Sequence, residues 1–148
     1  YQKNRLAKGE MVIDGETLDV GDVDIPIFMQ AGETDHIAPH GSVYRTAKLF
    51  ASKGNDNVVY MLAGSGHIAG VINHPSKNKY HHSINEALPA TVAAWKEGAK
   101  RHAGSWWPYW MKWLNEKSPP GGVAARVPGD GRLKPLEDAP GSYVKVKA

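Results

Sequence analysis

The sequence contains no cysteine. Disulfides and thiolate metal sites are therefore excluded, as is any thiol nucleophile supplied by these residues. No apolar stretch approaches the ~20 residues that a membrane-spanning helix requires. Dense runs of lysine or arginine are also missing. The formal net charge is only +3, and basic residues are interleaved with acidic ones, the pattern of a solvated surface and not of a nucleic-acid interface. The N-terminal residues Tyr1-Gln2-Lys3-Asn4-Arg5 show neither an initiator methionine nor a signal-peptide pattern, so the chain is expected to belong to a longer protein. No internal repeat is visible.

What is present suits one packed domain: 148 residues, of which 41% are hydrophobic. Residues 1–9 are polar and read as the end of a helix. In Met11 to Val20, two β-prone runs flank Asp14-Gly15, a strong signal for a two-residue hairpin turn. Asp24 to Ala31 is apolar on both parities, which predicts a strand buried on both faces, with Pro26 tolerated near its start. Ser42 to Lys53 reads as a helix, with Val43, Ala47 and Phe50 at helical spacing and Gly54 as its stop. Val58 to Leu62 is the second buried strand. Strand, helix and strand in this order predict the βαβ unit of a parallel sheet, and hence an α/β fold. Residues 73–82 read as a loop, Pro89 to Arg101 as a helix, and Trp107 to Leu114 as a further short helix. Ser118 to Ala148, rich in glycine and proline, is expected to be extended. The expected division is residues 1–117 and a tail, 118–148.

The chemistry converges on two loops. In a parallel sheet, ligands meet the loops at the carboxyl ends of the strands. Asp35 follows the first buried strand, and His67 follows the second within Gly64-Ser65-Gly66-His67-Ile68-Ala69-Gly70-Val71. A carboxylate that orients an imidazole, which in turn takes the proton of a thiol or hydroxyl, is the logic of a catalytic triad. The order Asp then His matches that of α/β-hydrolases, whose nucleophile precedes both. Neither Gly-x-Ser-x-Gly nor Gly-x-Cys-x-Gly occurs. Ser65 is flanked by glycine but lies two residues before the histidine itself, so it does not fit a nucleophile elbow. His74, His81 and His82 lie near His67 in sequence, yet their spacing matches no metal-binding pattern, and no metal is expected. Trp95, Trp106, Trp107, Trp110 and Trp113 are read mainly as packing, with a stacking platform as the alternative.

Several motifs carry a specific resemblance. Gly32-Glu33-Thr34-Asp35-His36-Ile37-Ala38-Pro39, Gly64 to Asn73, Lys77-Asn78-Lys79-Tyr80, Gly104-Ser105-Trp106-Trp107-Pro108-Tyr109-Trp110 and Ala139-Pro140-Gly141-Ser142-Tyr143-Val144 resemble, in order and over the whole chain, the C-terminal part of a polyhydroxyalkanoate synthase. The Ala-Gly-Val-Ile-Asn stretch and Lys-Asn-Lys-Tyr are more similar to class I enzymes than to class II. The resemblance implies the C-terminal portion of an α/β-hydrolase fold that is active as a homodimer. It implies polymerisation of (R)-3-hydroxyacyl-CoA, typically 3-hydroxybutyryl-CoA, with release of CoA. The acyl-CoA is then a substrate and no cofactor is needed. Cytoplasmic location at the polyester granule surface follows from the same resemblance. In this family a cysteine carries the growing chain as a thioester. His67 matches the base that activates it, and Asp35 matches the aspartate held to activate the incoming hydroxyl, directly or through the histidine. Two departures stand out: His74-Pro75 replaces the usual Pro-Pro, and Ser52 to Asn57 is a few residues long. Without a cysteine, these residues are expected to be inactive alone. The alternatives are part of an esterase or polyester depolymerase, or a non-catalytic granule-binding module that uses the tryptophans.

Overall fold

A computed structural model describes residues 2–147; Tyr1 and Ala148, the outer limits of the two expected regions, lie outside the described residues. Two compact units are present, Tyr1–Ser118 and Pro119–Ala148.

The first unit begins with a single 3-10 turn, Leu6–Lys8, where the sequence predicts a helix end. The hairpin follows as expected: β1 (Met11–Ile13) pairs antiparallel with β2 (Glu16–Leu18), Ile13 opposite Glu16. Asp14 and Gly15 take φ of 51° and 83°, the positive values that a tight primed turn requires.

The main sheet has four strands in the order β3-β4-β5-β6. β3 (Ile27–Gly32) and β4 (Val58–Ala63) are parallel, with Ile27 opposite Val58 and Gly32 opposite Ala63. They are joined by α1 (His40–Phe50), giving the expected βαβ unit. β3 starts at Ile27 and not at the expected Asp24, so Pro26 stands just before it, where its missing N–H costs no ladder bond. α1 starts two residues before the expected Ser42 and ends at Phe50, short of the expected Lys53, with Ala51 as its cap. Gly54, at φ 92°, is therefore not the helix stop but turns the chain toward β4.

Beyond β4 the architecture departs from an all-parallel sheet. Residues 64–80 hold nothing longer than a single helical turn. The chain therefore returns antiparallel as β5 (His81–Ile84), which pairs with β4 and with β6 (Lys100–Ala103); a parallel return generally needs a crossover helix. His81 and His82 thus belong to a strand and not to the expected loop. The expected helix from Pro89 to Arg101 is also divided. α2 covers only Val92–Gly98, capped by the Thr91 hydroxyl, which accepts from the Ala94 N–H at 3.2 Å. Its end is set by Asn85, whose amide donates to the Trp95 carbonyl at 2.9 Å, and by Gly98, where a β-carbon would meet that same amide at 2.9 Å. Lys100 and Arg101 then lie on an exposed strand, the charged kind of edge that discourages further pairing. α3 runs Trp107–Lys117, past the expected Leu114.

Alternation along β4 builds two cores, one on each face of the sheet. Val58, Tyr60 and Leu62 pack with Tyr44 and Ala47 of α1 and with Trp95 of α2. Met61 and Ala63 face the opposite way, against Trp106 and the Trp107, Tyr109 and Trp110 side chains of α3, with Phe28 of β3. Edge-to-face contacts of Tyr60 with Tyr44 (5.0 Å) and Trp95 (4.8 Å) centre the first core. The Tyr44 hydroxyl donates to Pro89 O at 2.7 Å and Lys48 Nζ to Leu88 O at 2.7 Å, fixing the approach to α2.

The second unit contains no strand among the described residues and one 3-10 turn, Ser142–Lys145. Glu137 organises it locally by accepting from the Ser142 N–H and hydroxyl at 2.8 and 2.9 Å. No helix among the described residues is long and apolar enough to cross a membrane.

Candidate active site

The parallel pairing of β3 and β4 carries both candidate residues to one edge of the sheet. Gly32 and Ala63 are opposite each other, so the loops that follow leave side by side. Their pairing continues briefly beyond the strands: the Glu33 N–H donates to Ala63 O at 2.8 Å, and the Thr34 N–H to Ser65 O at 3.3 Å. Glycine at position 32 permits this approach, since a β-carbon there would lie 2.8 Å from the Ser65 carbonyl oxygen and 3.1 Å from Asp35 Cβ.

Asp35 and His67, 32 residues apart in sequence, meet with Oδ2 and Nδ1 at 2.8 Å. The other carboxylate oxygen accepts from the Ile37 and Ala38 N–H groups, both at 2.9 Å. The Asp35 side chain is 6% exposed and that of His67 is 48% exposed. The carboxylate is thus held beneath an imidazole that opens outward. The Ala38 N–H bond, which outweighs burial, and then the His67 and Ile37 bonds hold the Asp35 pKa well below its ordinary 3.8, at about 2. An ionised Asp35 facing Nδ1 places the ring proton on Nδ1 and leaves Nε2 as the basic nitrogen.

The His67 turn is braced from elements that the sequence reading does not connect to it. It closes as a helical turn, with Gly70 N–H donating to Gly66 O at 2.9 Å and Ile72 N–H to Ile68 O at 2.8 Å. Two consecutive indoles hold its far side: Trp106 Nε1 donates to Gly70 O at 2.8 Å and Trp107 Nε1 to Val71 O at 3.0 Å. The role of these tryptophans is legible only once α3 is placed. Ile37, in the loop after β3, and Ile68 and Ile72, in the His67 turn, are exposed.

The other candidates sit apart. Ser65 is in the turn, but no hydrogen bond joins its hydroxyl to His67 among the described residues. His74 bonds Ser76, His81 bonds Glu33, and His82 is buried against Gly104 O. Burial pushes the His82 pKa down. Among the described residues, no three histidine, cysteine, aspartate or glutamate side chains converge as metal ligands would. Trp95 is fully buried and Trp106 nearly so, with Trp106 5.8 Å from Trp110. A cleft of about 730 Å³ lined by Lys8, Tyr44, Arg45 and Val92 includes neither Asp35 nor His67.

Comparison with known proteins gives a consistent result. The whole chain is 46% identical to a poly(3-hydroxyalkanoate) polymerase subunit of Rhizobium meliloti, covering 23% of that protein. It is 46% identical over 149 aligned residues to the poly(3-hydroxyalkanoate) polymerase of Methylorubrum extorquens, covering 24% of it. It is 40% identical to a polymerase subunit of Cupriavidus necator, covering 25% of it. The chain thus spans about a quarter of the length of the curated relatives it matches, at their C-terminal end. No protein-family model matches it.

Proposed function

We propose that this chain, similar along its whole length to a C-terminal quarter of poly(3-hydroxyalkanoate) polymerases, supplies the acid–base half of such an enzyme's catalytic centre. The observation that carries the reading is the 2.8 Å contact of Asp35 with His67 at the end of two parallel strands. The surrounding fold is read as the C-terminal portion of an α/β-hydrolase domain.

In this account His67 Nε2 takes the proton of a cysteine thiol supplied by another segment, since the sequence has no cysteine of its own. The thiolate attacks the carbonyl carbon of an (R)-3-hydroxyacyl-CoA, and the carbonyl π bond opens to a tetrahedral oxyanion. As the carbonyl re-forms, the bond to the CoA sulfur breaks. CoA leaves as a thiolate and takes the proton back from the imidazolium. In the second half-reaction the 3-hydroxyl of an acylated unit gives its proton to His67 and attacks the enzyme-bound thioester. An ester bond forms, the bond to the cysteine sulfur breaks, and the leaving cysteine thiolate takes the proton back from the imidazolium. Asp35 stabilises the imidazolium in both halves.

Routing both proton transfers through His67 has a specific support. Both Asp35 oxygens are already engaged, by His67 and by two backbone N–H groups, and its pKa near 2 makes it a weak base. The same reading takes acyl-CoA as a substrate, requires no cofactor, and has the whole enzyme acting as a homodimer in the cytoplasm at the polyester granule surface.

The test is to replace the C-terminal quarter of the Rhizobium meliloti polymerase with this chain and to follow CoA release from (R)-3-hydroxybutyryl-CoA. The chimaera is expected to turn over and the 148-residue chain alone to release none. A folded but silent chimaera, or turnover by the chain alone, contradicts the reading.

A further inference from the structure

Glu33, His81, Lys96 and Arg101 form a charged cluster that the proton transfers of Asp35 and His67 do not use. His81 is held at both ring nitrogens: Nε2 is 3.1 Å from Glu33 Oε2, and Arg101 NH2 is 2.9 Å from Nδ1. A guanidinium has no acceptor, so Arg101 donates and Nδ1 is the unprotonated nitrogen. The ring proton then lies on Nε2, the atom that faces Glu33. Lys96 Nζ approaches the other Glu33 oxygen at 3.4 Å. Burial raises the Glu33 pKa, but the bonds from His81 and Lys96 outweigh it and keep the carboxyl below its usual range.

We propose that Glu33 and His81 are positioning residues for the Asp35–His67 pair, an inference that rests on reading that pair as the acid–base centre. His81 touches both loops. Its ring lies against Gly64, where any side chain would overlap it, and its carbonyl oxygen accepts from the Gly64 N–H at 2.8 Å. Gly64 opens the turn that carries His67. Through Nε2, His81 also holds Glu33, which stands two residues before Asp35 and whose own N–H is bonded to Ala63 O. One ring therefore sets the spacing of the two loops, while Arg101 on β6 fixes the tautomer that allows it. At 18% and 34% side-chain exposure, His81 and Glu33 are partly shielded from water, so water competes only partly for their hydrogen bond.

The test uses the full-length polymerase carrying this segment, with CoA release from (R)-3-hydroxybutyryl-CoA followed at steady state. His81→Ala and Glu33→Ala are each expected to lower kcat about tenfold while KM changes less than about twofold, because misplacement slows proton transfer without removing substrate contacts. His81→Gln, whose amide can donate to Glu33 and accept from Arg101, should recover kcat to within about threefold of the parent. An unchanged kcat in His81→Ala, or a loss that His81→Gln does not recover, overturns the inference. If His81→Ala fails to fold, Glu33→Ala decides: a lowered kcat supports the inference and an unchanged one overturns it. His67→Ala separates the two levels. An inactive His67→Ala beside a fully active His81→Ala rejects only the positioning role. An active His67→Ala rejects the acid–base reading itself, and the inference with it.

Discussion

Trp106 Nε1 donates to the carbonyl oxygen of Gly70 across 2.8 Å, joining the start of α3 to the turn that carries His67. The indole is 8% exposed and lies 6.1 Å from the Phe28 ring, so the bond is made in a dry environment. Trp106→Phe would keep much of the aromatic volume and leave the Gly70 carbonyl without this partner. The expected cost is about 1–3 kcal/mol of unfolding free energy, measured by denaturant titration. A loss in kcat should accompany it. Trp107→Phe, at a more exposed bond, should cost about 1 kcal/mol or less.

Gly32→Ala tests the close approach of the two loops. The added β-carbon would meet the Ser65 carbonyl oxygen at 2.8 Å, a backbone atom that can move only if the His67 turn moves. A destabilisation of about 1–3 kcal/mol is expected, together with a fall in kcat larger than stability alone explains. Gly15→Ala is a poor control because φ is positive there, whereas Gly122→Ala, in open space, should be silent in both measurements.

The Asp35 carboxyl gives a pH prediction with a fixed sign. Its pKa falls from 3.8 to about 2 on folding. Its charged form therefore stabilises the fold fully above about pH 4, and that contribution is lost as the pH falls toward about 2. The stability difference between the parent and Asp35→Asn should shrink over that acid window in equilibrium unfolding. In the polymerase chimaera that carries this chain, Asp35→Asn should lower kcat by about a thousandfold or more, because a carboxamide no longer enforces the Nδ1–H tautomer. Any acid limb of the rate between about pH 5 and 7 should not come from Asp35.

Much of this centre is legible in the sequence, for physical reasons. Val58 to Leu62 and Ile27 to Ala31 are apolar on both parities, and only a strand buried on both faces makes use of that. Asp14-Gly15 marks its turn because few other pairs accept two positive φ values. The second half of the sheet lacks such signals. His81-His82-Ser83-Ile84 and Lys100-Arg101-His102-Ala103 are short and polar, and they become strands through pairing with β4 and with each other. Gly98 marks where α2 ends, but the partner that completes the stop, Asn85, is distant in sequence. Loop order makes Asp35 and His67 candidates for a pair and the family resemblance strengthens it, whereas the indole braces and the His81 contact depend on three-dimensional placement.

The most direct measurement is made on His67→Ala in the Rhizobium meliloti polymerase chimaera that carries this chain, following CoA release and acylation of the cysteine by (R)-3-hydroxybutyryl-CoA. With the imidazole gone, the thiol loses its base, and both signals should fall to background while the protein still unfolds cooperatively. Near-normal CoA release and cysteine acylation in that variant would contradict the assignment of His67 as the base.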